Sequence, residues 1–155
     1  EQSIDVQATA GDFVVHTKAQ LPAYQLAVVV DDDRQGVTEV VRADDLVPST
    51  GRQLWVYRLL GWSGRVPRYT HVPLVRGPDG RRLAKRHGDS RLSHYRGLGV
   101  PAERVIGLMA YWCGMIDRPE PMTSQAFVEG FELERVPRES VVFTQEQDAW
   151  LLGRR

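Results

Sequence analysis

Residues 23–42, AYQLAVVVDDDRQGVTEVVR, decide which layers this chain builds. Leu26 to Val30 is an unbroken apolar run, rich in β-branched side chains and bounded by polar residues on both sides. Such a run reads as a strand covered on both faces, of the kind found inside a parallel sheet. Asp31, Asp32 and Asp33, with Gly36 behind them, read as the turn that ends it. Val37 to Val41 then reads as a second strand, ending at Arg42.

Working outward, Phe13 to His16 reads as a short strand upstream. Downstream, Ser49 or Thr50 offers a cap for a helix from Gln53 to Leu60, with Gly61 as its stop. Val72 to Val75 reads as another short strand. Beyond it the texture turns helical. Ser90 to Leu98 reads as a short helix closed by Gly99, and Pro101 opens a firmer one. Val105, Leu108, Met109, Trp112 and Ile116 fall on a single apolar stripe of that helix. Thr144 and Gln147 have capping-box spacing before a last helix that carries Trp150 and Leu151. The expected class is α/β, strands with helices followed by a mostly helical tail, with a division near residue 88.

Between the two textures lies GPDGRRLAKRHGD, residues 77–89. Lys85 is one of only two lysines among twenty basic residues. A lysine in a glycine-flanked loop after a strand suits a phosphate chain, because its ammonium is a compact charge on a flexible stem. Arg82 and Arg86 flank it. No GxxxxGK[ST] pattern exists, so this is not a Walker loop. Spacing alone leaves a merely solvated loop open. A second candidate is Tyr24 with Arg42. An arginine that ends a strand can clamp a carboxylate through paired hydrogen bonds, and a tyrosine hydroxyl can reach a small ligand. The bland alternatives are an Arg42 paired with Asp44 or Asp45 and a Tyr24 ring that caps the core.

The 155 residues are 42% apolar and include four tryptophans, which fits a folded domain with a real core. The formal net charge is zero, so bulk charge points to no nucleic-acid partner. The charge is nevertheless uneven. Asp31 to Asp45 carries six acidic residues against two arginines, and Arg76 to Arg96 carries seven basic against two acidic residues. The second segment is able to meet phosphates. Cys113 is the single cysteine, which excludes an intrachain disulfide and a cysteine-rich zinc site. Within GLMAYWCGM it reads as a buried structural thiol. His16, His71, His87 and His94 are scattered without metal-ligand spacing, so no metal is assigned. No apolar stretch is long enough to span a membrane and no signal peptide opens the chain, so a cytoplasmic location is the default expectation. The chain opens without methionine and reads as an inner part of a longer protein.

Two stretches, AYQLAVVVDDDRQGVTEVVRADDLVPSTGRQLWVYRLLG and then PRYTHVPLVRGPDGRRLAKRHGD, resemble the class I glutamyl-type aminoacyl-tRNA synthetases. The likeness runs from about Gly11 to Gly99 and continues more loosely to the end. It implies the second half of a Rossmann-like catalytic domain over residues 1–88, followed by a helical, tRNA-facing region over 89–155. Arg82 to Arg86, RLAKR, match the family's second signature, usually written KMSKS. The resemblance therefore makes Arg82, Leu83, Ala84, Lys85 and Arg86 ATP-binding and gives Lys85 the catalytic role of stabilising the phosphates during adenylate formation. It makes Tyr24 and Arg42 the glutamate-binding residues. Two positions depart from the pattern: Ala43 stands where relatives have glycine, and Ala84 where they have serine.

The same resemblance implies L-glutamate, ATP with Mg2+, and a tRNA as substrates, and a monomer at full length. The family's first signature and the zinc-binding cysteines of many members lie before the point where this chain starts. This stretch is thus expected to carry part of the site and to be inactive alone. The closer match is to the truncated branch that lacks an anticodon-binding domain and transfers glutamate to queuosine of tRNA(Asp). The ordinary branch charges tRNA(Glu). Both activate glutamate with ATP, and the seventy residues after Lys85 favour the truncated branch. Two other readings compete. The basic segment suits a non-catalytic tRNA-binding module. An apolar central strand without its neighbours suits a piece that folds poorly by itself.

Overall fold

A computed structural model describes residues 5, 8, 11–83 and 91–154. The chain divides into two compact units, Glu1–Val72 and Pro73–Arg155. The expected division near residue 88 falls within residues 84–90, outside the described residues.

The first unit runs α1 (Tyr24–Gln35), β1 (Glu39–Ala43), a 3-10 turn (Asp44–Leu46), α2 (Val47–Leu59), a second 3-10 turn (Ser63–Arg65) and β2 (Arg68–Val72). β1 and β2 pair in parallel, in register from Glu39 opposite Arg68 to Ala43 opposite Val72. A parallel pair needs a crossover, and α2 supplies it.

The strand expected over Leu26 to Val30 is a helix. Apolar runs of this length do not distinguish strand from buried helix by pattern. What decides is packing: Gln25 and Val29, four residues apart, form one buried face, and Val29 packs with Val56 and Tyr57 of α2. The three aspartates are not a turn but the helix's own last turns. Gly36 ends it in the left-handed region, φ 66°, and the Gly36 and Val37 amides donate to the carbonyls of Asp33 and Asp32. The β strand expected from Val37 is real but begins two residues later. Phe13 to His16 is no strand; His16 makes one antiparallel bridge to Pro22. The concern about an orphaned central strand thereby loses its basis at Leu26 to Val30.

α2 begins at Val47, with Pro48 in its first turn, and neither Ser49 nor Thr50 caps it. Both lie inside the helix, buried, with hydroxyls committed elsewhere. Ser49 Oγ accepts from Gln25 Nε2 at 3.2 Å, and Gln25 Oε1 accepts from Gln53 Nε2 at 3.0 Å. This chain of buried amides pins α1 to α2, because a buried amide left unpaired costs about 1–3 kcal/mol.

In the second unit β3 (Val75–Arg76) and β4 (Val141–Val142) pair in parallel, with α3 (Leu92–Gly97), α4 (Ala102–Trp112), α5 (Ser124–Gly130) and α6 (Gln145–Leu151). Val72 to Val75 is thus split: Val72 ends β2 and Val75 opens β3. Tyr95, Leu108, Phe143 and Leu151 form the core. Pro101 is the residue before the helix, not its first turn, and α4 stops at Trp112. The expected stripe is therefore shorter: Leu108 is buried, Met109 is 45% exposed, and Ile116 lies beyond the helix. Gly107 lies so close to the Glu120–Pro121 backbone that a Cβ would overlap the Glu120 carbonyl oxygen. The expected capping box forms, with Gln147 N donating to Thr144 Oγ1 at 3.2 Å and Thr144 N to Gln147 Oε1 at 3.4 Å.

Candidate functional site

Arg42 is the fourth residue of β1 and stands opposite His71 of β2. Tyr69 and His71 are two apart on β2, so their side chains share one face of the sheet. Their rings stack at 6.4 Å between centroids and 7° between planes. The Arg42 guanidinium lies over the Tyr69 ring, 5.0 Å from its centroid. Arg42 Nη2 donates to Thr50 Oγ1 at 2.6 Å and, more weakly, to the Leu46 carbonyl at 3.4 Å. Arg42 Nε donates to His71 Nε2 at 3.3 Å, and the Thr50 hydroxyl lies 3.0 Å from the same nitrogen. Three elements thus hold one guanidinium: β1 carries it, α2 supplies Thr50, and β2 supplies Tyr69 and His71.

The electrostatics are as telling as the distances. Burial pushes the His71 imidazole below its ordinary value, with the neighbouring Arg42 charge acting the same way and Asp44 opposing. Burial and the guanidinium thus both favour the neutral ring. Burial pushes the Tyr69 phenol up to about 12, helped by Tyr57 and opposed by Arg42. Asp32 on α1 is pushed up by burial and pulled back by Arg42. The bland alternative, an Arg42 paired with Asp44 or Asp45, is not what the described residues show. Its hydrogen-bond partners are a hydroxyl, a carbonyl and a neutral imidazole. Among the described residues no carboxylate lies at ion-pair distance from it, so its charge is oriented but not neutralised there. Among the described residues Nη1 makes no hydrogen bond, which leaves that end of the fork for an anion.

Tyr24 opens α1, 57% exposed, and lies within electrostatic reach of Tyr69. Ala43, one of the two departures noted from the family resemblance, has φ −69°, an ordinary extended conformation, so its methyl sits without backbone strain.

In the second unit, the loop after β3 turns at Gly80, φ 74°, where the Gly80 amide donates to the Gly77 carbonyl. Arg82 then bridges Arg76, and Leu83 N donates to the Val75 carbonyl at 3.0 Å while its side chain joins the core. Leu83 is thus a packing residue as well as the second residue of the RLAKR segment. Ala84, Lys85 and Arg86 lie outside the described residues. Among the described residues no three histidine, cysteine or carboxylate groups converge as a metal site, and no helix is long and apolar enough to cross a membrane. Cys113 is half-buried, and burial pushes its thiol up.

Of the residues gathered around the Arg42 guanidinium, the sequence singled out Arg42 itself but not Thr50, Tyr69 or His71. Thr50 was assigned to a helix cap and His71 dismissed as a scattered histidine. The signal that could have found them is the parallel register of β1 and β2, which sets Arg42 beside His71.

Comparison with known proteins completes the description. Residues 2–150 match the family model for tRNA synthetases class I (E and Q), catalytic domain. The chain is 48% identical over 143 residues to a glutamyl-Q tRNA(Asp) synthetase of Symbiobacterium thermophilum, a match that covers 92% of this chain and 44% of that protein. It is 37% identical over 144 residues to a glutamate–tRNA ligase of Syntrophobacter fumaroxidans, covering 93% of this chain and 30% of that protein. The chain thus spans less than half the length of these curated relatives. Among solved structures, a glutamate tRNA ligase from Elizabethkingia meningosepticum, crystallised with its amino acid, superimposes with a TM-score of 0.76 at 24% identity, over 93% of this chain and 32% of that one. That likeness is one of fold.

Proposed function

The chain belongs to the class I tRNA synthetases of the E and Q type, and from that premise we propose that it supplies the glutamate-holding strand pair and the ATP-closing loop of a glutamate-activating ligase. In the first step a glutamate carboxylate oxygen attacks the α-phosphorus of ATP. The bond to the β-phosphate oxygen breaks, leaving glutamyl-adenylate and pyrophosphate. In the second step an RNA hydroxyl attacks the activated carbonyl and AMP departs. ATP enters with its Mg2+ as substrate. Arg42 and Tyr24 hold the amino acid, and Arg82 to Arg86, with Lys85 at the phosphates, neutralise charge that builds on the leaving pyrophosphate.

One observation carries this reading. Arg42 is held by hydrogen bonds and ring contacts to uncharged partners, with Asp32 the carboxyl that feels its charge, and its Nη1 edge is left open for a substrate carboxylate. A neutral amide in the same place would gain less, which favours glutamate over glutamine. For the acceptor, identities of 45–48% to glutamyl-Q tRNA(Asp) synthetases exceed the 35–39% to glutamate–tRNA ligases. This favours queuosine of tRNA(Asp) over the end of tRNA(Glu).

The test is glutamate-dependent ATP–pyrophosphate exchange by the full-length protein, without and then with tRNA, followed by transfer of labelled glutamate. Exchange without tRNA, and transfer to queuosine-containing tRNA(Asp), are expected. Lys85→Ala should slow exchange strongly with little effect on folding, and Arg42→Ala should raise the glutamate requirement. Exchange that needs tRNA(Glu) would move the assignment to the ordinary ligase. A folded full-length protein without any exchange would remove the ligase reading.

A further inference from the structure

His71 has no role in the reading above beyond touching Arg42, yet its geometry constrains what Arg42 can do. An arginine Nε always carries its hydrogen, so it can only donate. Its partner here is His71 Nε2, at 3.3 Å. That nitrogen must therefore present its lone pair, which fixes the neutral ring with its hydrogen on Nδ1. The Thr50 hydroxyl obeys the same logic. Its oxygen accepts from Arg42 Nη2 at 2.6 Å, so its own hydrogen is available for Nε2 at 3.0 Å, nearer than its other acceptor, the Leu46 carbonyl at 3.5 Å. Arg42, Thr50 and His71 close a three-membered ring of hydrogen bonds, and its Arg42 Nε–His71 Nε2 member exists only while that nitrogen is unprotonated. A proton on Nε2 would break the Arg42 Nε contact and set a second cation against the guanidinium, while the Thr50 hydroxyl turns to the Leu46 carbonyl at 3.5 Å and accepts from the ring instead.

We infer that His71 is the positioning residue for Arg42, a neutral acceptor that aims the guanidinium at its anionic substrate and releases it when protonated. The inference rests on the assignment of Arg42 to glutamate. The groups around the imidazole are Arg42 on β1, Asp44 on the turn that follows, Thr50 on α2 and Tyr69 on its own strand. Arg42 and burial favour the neutral ring and Asp44 favours the charged one. Because the native imidazole titrates below its ordinary value near 6.5, the ring holds Arg42 above that pH and lets go as pH falls through the lowered native value. Both carboxylates of free glutamate stay ionised above about pH 5.5, so over the range measured the substrate does not imitate the effect.

The experiment measures the glutamate KM of the full-length protein in pyrophosphate exchange from about pH 5.5 to 8. Wild-type KM should rise as the pH falls, with the ATP KM steady. His71→Phe removes the acceptor and should raise the glutamate KM about tenfold at neutral pH, the loss expected of one hydrogen bond to a charged group. His71→Gln restores an acceptor that cannot be protonated. Its KM should stay well below that of the Phe variant and lose the acid rise. A Phe variant with wild-type KM, or a Gln variant with the wild-type acid rise, would overturn the inference.

A second readout does not depend on activity. Nitrogen-15 spectra of the histidine rings should show His71 as the Nδ1–H form with an unprotonated Nε2, and Arg42→Met should move its titration back toward the ordinary value. If exchange proves independent of glutamate but the ring has this form, the substrate assignment fails and the positioning geometry stands. A ring protonated at Nε2 at neutral pH would sink the positioning role whatever the substrate.

Discussion

Tyr69 shows how one side chain can serve by its ring and be burdened by its hydroxyl. The ring lies under Arg42, while Oη is buried with no hydrogen-bond partner among the described residues. A phenylalanine keeps the face that attracts the cation and drops the unsatisfied oxygen. Tyr69→Phe is expected to leave stability unchanged or to raise it by up to about 1 kcal/mol at neutral pH, measured by urea unfolding. The sign of the pH effect follows from the raised phenol. The unfolded tyrosine ionises near 10 and the native one only at about 12, so its stabilising share is full below 10 and is lost as pH rises toward 12. The variant should therefore gain on wild type between about pH 9 and 11. A constant gap across that range would mean that the native phenol titrates like a free one. At this scale the sequence was half legible. Arg42 and Tyr24 stood out through the family pattern, because an arginine at a strand end and a tyrosine at fixed spacing are visible in one dimension. Thr50 and His71 were not, because their meaning lies in a contact across 8 and 29 positions made by a helix and a strand register.

Elements were legible where their signals are local and illegible where packing decides. The box at Thr144 and Gln147 is a four-residue device that formed as read, and Gly36, Gly80 and Gly99 all adopt the positive φ their contexts demand. Leu26 to Val30 went the other way. β-branched residues and three aspartates near a helix C-terminus both argue against a helix on intrinsic grounds. Burial of Val29 against Val56 and Tyr57, with the Gln25–Ser49–Gln53 bonds, outweighs them. The same ambiguity misassigned Ser49 and Thr50, since a hydroxyl near a helix start looks alike whether it caps or reaches across the fold. α6 allows the local side to be measured. It has seven residues, too few to hold without its cap and its packing. Its far end is tied by Arg104, whose Nη1 donates to the Trp150 carbonyl at 2.6 Å while the guanidinium lies over the Trp150 ring. Thr144→Ala is expected to cost about 1 kcal/mol, and Thr144→Ser to keep most of it, in urea unfolding followed by Trp fluorescence. Equal losses for both would mean that the methyl group, not the hydroxyl bond, is what matters there.

For the whole molecule, the order of motifs sufficed to give an α/β catalytic-domain fold, because a family pattern encodes topology even when one element is misread. The distribution of the core was not so encoded. Val29, Val56 and Tyr57 form one buried cluster, and Tyr95, Leu108, Phe143 and Leu151 another, each within its own compact unit. Apolar residues occur throughout the sequence, so composition cannot say which of them share a core. The two clusters make a test of how the molecule unfolds. Leu108, 2% exposed, packs in the second cluster only, and Leu108→Ala should cost about 2–5 kcal/mol through the cavity it leaves. Native-state hydrogen exchange of the full-length protein resolves where that cost falls. If stability is held separately in the two cores, amides of α4 and α6 lose protection while those of α1 and α2 keep theirs. Equal loss in all four helices would mean that the cores open as one cooperative unit. In that case a substitution far from Arg42 would weaken the proposed glutamate site through stability alone, and its kinetic effect would vanish when the variant is assayed under stabilising conditions.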